Sequence, residues 1–306
     1  MVPYVLLIVL FLVFTAIYPS FARIRNIVGI LTVSSVFLLV AAGATFPILM
    51  GSIDLSIGTM LSSSAIVAAY LFPDGGVGFM VTAIMMGLVS GIANGSLIVA
   101  LRLPSFIVTL AMMFAFRGIA TAITGGYNID IRSNAFSLIS SGRIIPGVPN
   151  VILWGSIVFV VFLLISTKTK TGRYIYGIGG NEDAIRKMGV NVDRYRIMAF
   201  AFSGLLNGVA SLLLSSYLGM APARLGDKYL FNGLTAVILG GTSVFGGEGG
   251  LVRTLVGVLL LAMFDNGTNL IGFDERGQYI VKGVLIILAI SLSSLTKERG
   301  KLRLTK

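Results

Sequence analysis

Long uninterrupted apolar runs constrain this chain more than any other feature of its 306-residue sequence. A helix needs about 20 mostly apolar residues to cross a bilayer, and runs of that order recur from one end of the chain to the other. Because 56% of the residues are hydrophobic and only 11% are charged, the chain has too few charges for the surface of a soluble domain. The runs are continuously apolar, whereas the strands of a transmembrane barrel alternate apolar and polar residues. The sequence therefore predicts an all-α, polytopic membrane protein.

The apolar runs predict about ten transmembrane helices in a single domain covering residues 1–306. The spans are expected near residues 3–18, 27–49, 55–72, 79–100, 105–124, 149–167, 197–219, 230–245, 251–271 and 278–295. The join between the second and third spans is too short and polar for an ordinary loop, and the eighth span is short and rich in glycine. Broken or re-entrant helices are therefore expected near residues 50–58 and 230–250.

The residue types missing from the sequence exclude several kinds of chemistry. Without any cysteine or histidine, the chain has no disulfides, no thiolate or imidazole metal ligands and no histidine-based catalysis. It also lacks the GxxxxGK[ST] pattern of a P-loop, so it cannot cradle the phosphates of ATP by itself. No basic and aromatic surface segment is left over for nucleic acid. We expect no catalytic residues, no metal site and no cofactor in this chain.

The positive charges predict how the chain crosses the membrane. With ten spans, both termini lie on one side, and that side carries about twice as many lysines and arginines as the other. Cytoplasmic loops of membrane proteins are enriched in these residues. Both termini, the polar segment 168–196 and the basic tail 296–306 are therefore expected in the cytoplasm.

Segment 168–196 is the only long polar island in the chain, and its centre predicts a helix of roughly two turns. Asn181 is a good N-cap residue, and Gly189 can adopt the left-handed conformation that stops a helix. The acidic residues come first and the basic residues last, as the helix dipole favours. A helix this short is not stable alone in water, so a partner protein is expected to hold it; the alternative is an ordinary solvated loop. The predicted docking surface comprises Asn181, Glu182, Asp183, Ala184, Ile185, Arg186, Lys187, Met188 and Gly189.

Two segments on the opposite side predict a surface for an external partner. Residues 125–148 carry proline and glycine punctuation typical of a structured loop, and residues 220–229 carry three charged side chains. A short echo also links residues 45–51 and 235–241, which are identical at four of seven positions. The echo indicates a structural repeat of the kind that frames transport pathways, with chance similarity as the alternative.

Four motifs, in order, resemble the ribose-type sugar permeases of ATP-binding-cassette (ABC) importers. GSIDLSIG at residues 51–58 resembles the family signature GGIDLSVG, and LPSFIVTL at residues 103–110 resembles the segment that follows it. IGGN at residues 178–181 and AVILGGTS at residues 236–243 complete the series, so the resemblance extends from about residue 35 to residue 292. The departures are Ser52 in place of glycine, and Leu230 and Asn232 in place of acidic residues.

The short helix carries a resemblance of its own. Asp183, Ala184 and Ile185, with Gly189 after them, are similar to the EAAxxxG loop of ABC importer permeases, although Asp replaces Glu and Ile replaces the second Ala. In that family the helix docks into the ATP-hydrolysing subunit. The resemblance therefore implies that residues 181–189 couple this chain to an ATPase.

Taken together, the motifs imply the transmembrane permease subunit of an inner-membrane ABC importer for a monosaccharide or similar small polyol, such as ribose or autoinducer-2. ATP and Mg would be bound by separate ATPase subunits. A second permease chain, identical or different, and an extracytoplasmic solute-binding protein would complete the transporter. The alternative is a self-sufficient secondary carrier or channel, but carriers ordinarily keep acidic residues deep in their spans, and only Asp265 lies well inside one here.

A polar cargo needs neutral hydrogen-bonding groups within the membrane. The predicted lining of a translocation path is Thr45, Asn94, Phe114, Thr121, Asn266 and Asn269. Phe114 could stack on a sugar face, with lipid contact as the alternative. Asn94 and Asn266 belong to Asn-Gly pairs within spans, as does Asn207. The alternative for these pairs is helix packing, in which glycine lets a neighbouring helix approach and asparagine hydrogen-bonds across it.

Three charged residues are assigned structural roles. Asp54 precedes the apolar run that starts at Leu55, and it can cap a helix beginning there. Asp265 and Lys282 lie at similar depths in the ninth and tenth spans, where an unpaired charge costs about 2.5–3.5 kcal/mol on insertion scales. We therefore expect an ion pair between them; the alternative is that Lys282 snorkels alone to the membrane surface.

Overall fold

Among the described residues, long apolar helices account for six of the ten predicted spans. The computed structural model describes residues 2–224, 226–274, 276–278 and 280–284. Among those residues, six helices are long and apolar enough to cross a membrane, so a polytopic, all-α membrane protein is confirmed. The predicted tail 296–306 and most of the predicted tenth span lie outside the described residues.

The helix boundaries follow the predicted spans, with shorter elements between them. The elements are α1 (Val2–Ile17), a 3₁₀ helix (Pro19–Ala22), α2 (Ile24–Leu49), α3 (Ile57–Leu71), α4 (Gly76–Leu101), α5 (Ser105–Thr124), β1 (Ile129–Asp130), α6 (Asn134–Ser141), α7 (Asn150–Lys168), α8 (Lys170–Gly180), α9 (Glu182–Lys187), α10 (Val192–Leu218), β2 (Met220–Ala221), α11 (Gly226–Leu239) and α12 (Leu251–Leu270). Residues 276–278 and 280–284 are also helical. We call the two ends of the bundle the α6 end and the α9 end, after the short helix that each carries.

Helix α2 is the centre of the bundle. Every residue from Ser34 to Leu49 is buried, and α7, α10, α11 and α12 pack around it. Phe46 on α2 meets the rings of Phe162 and Phe202 edge to face, with centroids 5.9 and 5.1 Å apart. A helix that is buried on all sides needs no polar face, and this explains why the second span is apolar all round.

Glycines let α4 and α10 pack backbone to backbone. Gly87, Gly91 and Gly95 recur every four residues along α4 and face α10, which supplies Gly204 and Gly208 to the same contact. A β-carbon on Gly204 would lie 2.2 Å from the Gly87 carbonyl oxygen, a clash that no side-chain rotation relieves. In lipid, close van der Waals contact of this kind holds helices together. Gly95 and Gly208 belong to the Asn-Gly pairs, so close approach of a neighbouring helix is confirmed for both.

The chain leaves helical geometry at both predicted breaks. Gly51 follows α2 with a φ of 71°, and Gly241 follows α11 with a φ of 92°. In both cases the glycine N–H bonds to the carbonyl three residues back, at 2.9 Å. The next N–H bonds to the carbonyl five residues back, at 2.9 Å after Gly51 and 3.1 Å after Gly241. This pair of bonds is a Schellman cap, so residues 45–51 and 235–241 share one way of ending a helix.

Helix α11 begins inside the bundle. A β-carbon on Gly58, at the start of α3, would lie 2.2 Å from the carbonyl oxygen of Gly226, the first residue of α11. Because α3 continues for 13 further residues to Leu71, this contact lies about 20 Å from the α6 end of α3. The eighth predicted span begins at Gly226 and ends at Leu239, which are four and six residues earlier than expected.

The two segments predicted as an external surface are joined to each other at the α6 end. Ile129 in β1 pairs with Ala221 in β2, and α6 packs on α10, where the Ser216 hydroxyl donates to the Phe136 carbonyl at 2.7 Å. The sequence predicted a loop over residues 125–148 and missed α6. Eight residues are too few for a helical period to stand out between proline and glycine signals.

Candidate functional site

Helix α9 has the ends that the sequence predicts. The Asn181 side chain accepts a hydrogen bond from the Ala184 N–H at 3.0 Å, and Gly189 follows the helix with a φ of 80°. Both acidic residues lie in the first turn and both basic residues in the last. The predicted N-cap and the predicted left-handed stop are therefore confirmed.

Ion pairs fasten α9 to the start of α10. Glu182 accepts from Arg186 within the helix at 2.8 Å and from Arg196 on α10 at 2.6 Å. Arg186 also lies 3.8 Å from Asp193. Burial by itself would raise the pKa of Glu182, but the two guanidiniums outweigh that effect and hold the pKa below its usual range. The carboxylate therefore remains charged at neutral pH, and the attachment persists there.

The outer face of α9 is open. Ile185 packs toward the bundle, close to Gly177 on α8, where a β-carbon would lie 2.9 Å from the Ile185 side chain. Met188 is 72% exposed, and Asp183 and Lys187 are exposed beside it. The face of this six-residue helix that points away from the bundle is therefore accessible.

A cavity of about 760 Å³ lies beside α9. Its walls are the break after α2 at residues 51–53, the turn into α5 at residues 102–106, and the charged side chains Arg186, Asp193 and Arg196. Two of the four motif segments therefore meet α9 around one cavity.

The break after α2 is bonded directly to α5. The Ile53 N–H donates to the Ser105 hydroxyl at 3.0 Å, and the Leu55 N–H donates to the Thr109 hydroxyl at 3.1 Å. These bonds satisfy backbone donors that the break exposes, which lipid could not do. The GSIDLSIG and LPSFIVTL segments therefore form one hydrogen-bonded unit.

Asp54 holds this break to α10 and α4. The residue is 1% exposed, and its carboxylate accepts from the Ser56 N–H at 2.9 Å, the Ser56 hydroxyl at 2.6 Å and the Ser203 hydroxyl at 3.1 Å. The Asn94 amide donates to the Ser56 hydroxyl at 2.7 Å. The predicted helix start at Leu55 is wrong by two residues, because the Asp54 carboxylate binds the residue that precedes α3 rather than an N–H group within it.

The glycine-rich loop after α11 completes the α9 end. The Gly247 N–H donates to the Leu49 carbonyl at 2.9 Å, and the Tyr176 hydroxyl donates to the Gly249 carbonyl at 3.1 Å. Gly179 on α8 approaches so closely that a β-carbon there would lie 1.8 Å from the Leu49 oxygen. All four motif segments therefore come together at the α9 end.

The six residues predicted to line a path do not share one cavity. Thr45 is fully buried, with its hydroxyl 2.7 Å from that of Thr254, and Asn94 belongs to the Asp54 cluster. Phe114 is exposed on α5. Thr121 lines a second cavity, of about 250 Å³, between α3, α5 and the start of α11.

The remaining two path residues have partners within the chain. Asn266 exchanges two hydrogen bonds with Asn26 on α2, at 2.8 and 3.0 Å. Asn269 accepts from Gln278 at 2.8 Å. This pairing favours the helix-packing alternative for Asn266, because its amide is already used between α2 and α12.

The sequence reasoning missed a polar stripe on α10. Ser203, Asn207, Ser211 and Ser215 are fully buried, and they recur every four residues along the helix. The side-chain oxygens of the last three have no hydrogen-bond partner among the described residues. The period of four in small polar residues is visible in the sequence and is the signal that indicates this stripe.

The predicted ion pair between Asp265 and Lys282 is confirmed. The Lys282 Nζ lies 2.7 Å from one carboxylate oxygen and 2.9 Å from the other, and it donates to the Asn232 side chain at 3.3 Å. The Lys282 side chain is 8% exposed. The snorkelling alternative is therefore wrong, because the ammonium group is buried against its partners.

Comparison with known proteins bears directly on these motifs. The family described as branched-chain amino acid transport system / permease component matches residues 26–290. The chain is 37% identical over 295 residues to the ribose import permease protein RbsC of Escherichia coli (strain K12), covering 93% of this chain and 90% of that protein. The protein of the same name in Bacillus subtilis (strain 168) is 37% identical over 297 residues, covering 95% and 91%.

The xylose transport system permease protein XylH of Escherichia coli (strain K12) is 30% identical over 346 residues, covering 92% of this chain and 88% of that protein. No solved structure matches the chain. The resemblance drawn from the four motifs is therefore confirmed at the level of the family.

Proposed function

Since this chain belongs to the family of branched-chain amino acid transport system permease components, we propose that it is the transmembrane subunit of an ABC importer for a monosaccharide or similar small polyol. Its similarity to permeases named for ribose and xylose over more than nine-tenths of its length supports that cargo class. The observation that carries the proposal is α9, an exposed helix too short to stand alone and set among the segments that bear the family's motifs.

The proposed partner of α9 is an ATPase subunit, which would bind ATP and Mg and grip residues 181–189. A displacement of α9 would be transmitted to α10 through the ion pair between Glu182 and Arg196. The break after α2 shares a cavity wall with the same arginine and is hydrogen-bonded to α5. Motion of the ATPases would therefore reach helices on both sides of the cavity, as alternating access requires.

The proposed topology has ten crossings, made by α1 to α5, α7, α10 to α12 and the helix that includes residues 276–278. The excess of lysine and arginine favours both termini and the α9 end in the cytoplasm of a cell with this protein in its inner membrane. The α6 end, with its paired outer segments, would then receive a solute-binding protein. A second permease chain would complete the pathway. The whole chain forms one transmembrane domain, with segment 168–196 as its coupling part.

ATP-driven import in proteoliposomes tests the proposal. Vesicles that carry the complex of this chain with its ATPase and binding protein should accumulate a labelled pentose or hexose only when ATP is enclosed in them, on the face that carries the ATPase. Ala184→Arg, on the exposed face of α9, should lower import at least about tenfold while the chain stays in the membrane, because a long charged side chain prevents close docking. Ser141→Arg, exposed on α6 at the other end, is the matched control and should copurify with the ATPase normally.

Two results would contradict this function. Import by the permease alone, driven by a proton or sodium gradient, would assign the chain to the secondary carriers. Normal copurification of the Ala184→Arg variant with the ATPase, at a normal rate of import, would remove the docking role of α9.

A further inference from the structure

The cavity of about 250 Å³ near Thr121 descends from the α6 end into the bundle. Thr121 lies three residues before the end of α5, whereas Thr59 on the opposite wall lies 12 residues, or about 18 Å, before the end of α3. The apolar core of a bilayer is about 30 Å thick. The floor of the cavity is therefore near the middle of the membrane.

An ion pair stands in the wall of this cavity. Arg117 on α5 is bonded to Asp227 in the first turn of α11, and their side chains are 46% and 50% exposed. Arg117 lies seven residues, or about 10 Å, inside the end of α5. Charged groups at such a depth face water-filled space or protein rather than lipid. The exposure of this pair therefore indicates a hydrated space within the membrane.

Further polar groups point to what the space would hold. The Arg224 guanidinium lies near Gly126 at the upper wall, and among the described residues it has no ion-pair partner. The buried Thr59 hydroxyl donates to the Ser56 carbonyl at 3.0 Å, which leaves its oxygen able to accept. The cavity thus offers a planar fork of donors above, an acceptor at the floor, and a carboxylate oxygen in the wall between them.

We propose that this cavity is a binding site for one monosaccharide-sized polyol on its way through the membrane, an inference that rests on the proposed function. Two neighbouring hydroxyls of a sugar match the spacing of a guanidinium fork or a carboxylate. The Arg117 and Asp227 pair holds the carboxylate in place, so Asp227 accepts from one hydroxyl while Arg224 donates to another. A volume of about eight water molecules suits a single sugar ring.

Protection from thiol labelling tests the site directly, because the chain has no cysteine of its own. In the reconstituted complex, a Thr121→Cys variant is labelled with a small membrane-impermeant thiosulfonate, with and without the transported sugar. At ten times the half-saturating concentration the sugar should slow labelling about tenfold. An Asp74→Cys variant, exposed between α3 and α4 at the same end but outside the cavity and the paired outer segments, should be labelled at the same rate in both cases.

A pair of arginine variants gives a second readout. Arg224→Gln should lower import at saturating sugar at least about tenfold while ATP hydrolysis stimulated by the binding protein continues. Arg25→Gln, exposed near the start of α2 at the same end but outside both the cavity and the paired outer segments, should import normally. Absence of protection in a complex that imports sugar, or protection by inorganic phosphate instead, would overturn the site alone. A wild-type complex that imports no sugar would contradict the proposed function.

Discussion

At the scale of single residues, Asp54 decides whether the break after α2 can exist inside the membrane. Asp54→Ala would leave the Ser56 N–H and two hydroxyls without their acceptor, and each unsatisfied buried donor costs about 1–3 kcal/mol. We expect this variant to lose most of its folded, monodisperse protein on size-exclusion chromatography in detergent. Asp54→Asn should be tolerated, because its amide oxygen accepts from Ser56 and its NH₂ can donate to the Ser203 hydroxyl. An Asp54→Ala variant with normal yield and altered cargo preference would give Asp54 a role in recognition instead.

The pair of Asp265 and Lys282 makes a second prediction at this scale. Either neutral variant, Asp265→Asn or Lys282→Met, should lower the thermal midpoint in detergent, because the remaining charge is left buried without its partner. The double exchange, Asp265→Lys with Lys282→Asp, should recover part of the loss. Single effects that simply add in a double-mutant cycle would show that the two residues do not interact.

How far single residues can be predicted from the sequence depends on whether their partners are local. The cap of α9 involves residues a few positions apart, so it was predicted from chemistry alone. Asn26, the partner of Asn266, lies on another helix, and the sequence around either residue does not predict this pairing. The pair of Asp265 and Lys282 could be predicted, because the two residues lie on consecutive spans at similar depths and each has few other possible partners there.

At the scale of elements, the end of α9 depends on a backbone conformation rather than on a close contact. Gly189 has a φ of 80° and no heavy atom within 4 Å of where a β-carbon would lie. Gly189→Ala therefore adds no clash and costs only the left-handed conformation, about 1–2 kcal/mol. We expect the variant to bind the ATPase several-fold more weakly in a pull-down titration. Gly180→Ala, equally open but without a positive φ, is the matched control and should bind normally.

Between α4 and α10, glycine is required because there is no room for a side chain, and not because of a positive φ. Gly204→Ala puts a methyl group 2.2 Å from the Gly87 carbonyl oxygen, so the two helices must separate and lose contact along their length. The thermal midpoint in detergent should fall by several degrees. Gly118→Ala on α5, with nothing within 4 Å, should leave it unchanged. Equal effects of the two substitutions would mean that helix propensity, not close packing, sets the role of these glycines.

Element prediction succeeded for the six long apolar helices among the described residues and failed for α8. Residues 170–180 contain four glycines, which weaken a helix by up to about 1 kcal/mol each, and no helix was predicted there. The structure places Gly172 and Gly179 where the backbones of α7 and α2 leave no room for a side chain. Tertiary packing therefore overrides the local propensity, and the contact of Gly179 with Leu49 joins residues that lie far apart in the sequence.

At the scale of the whole molecule, four motifs separated by up to about half the chain converge on one end of the bundle. The sequence gives their order but not their convergence, because that depends on how α2, α8 and α11 end against each other. Asp54, Arg196 and the α5 start all lie within this one region. The arrangement places α9 next to segments from several parts of the chain, of which α8 and α10 are its direct neighbours in sequence.

The orientation of this molecule in the membrane can be tested by thiol labelling, because the chain has no cysteine and an introduced one is labelled alone. Ser141→Cys places an exposed thiol on α6 at one end of the bundle, and Lys187→Cys places one on α9 at the other end. In intact cells a membrane-impermeant maleimide should label the Ser141→Cys variant at once, and the Lys187→Cys variant only after the membrane is permeabilised. Ser211→Cys, fully buried on α10, should resist labelling in both conditions. The physical basis is the excess of positive charge at the α9 end, which the positive-inside rule assigns to the cytoplasm. Labelling of Lys187→Cys from outside intact cells would reverse the orientation, and it would place α9 beyond the reach of any cytoplasmic ATPase.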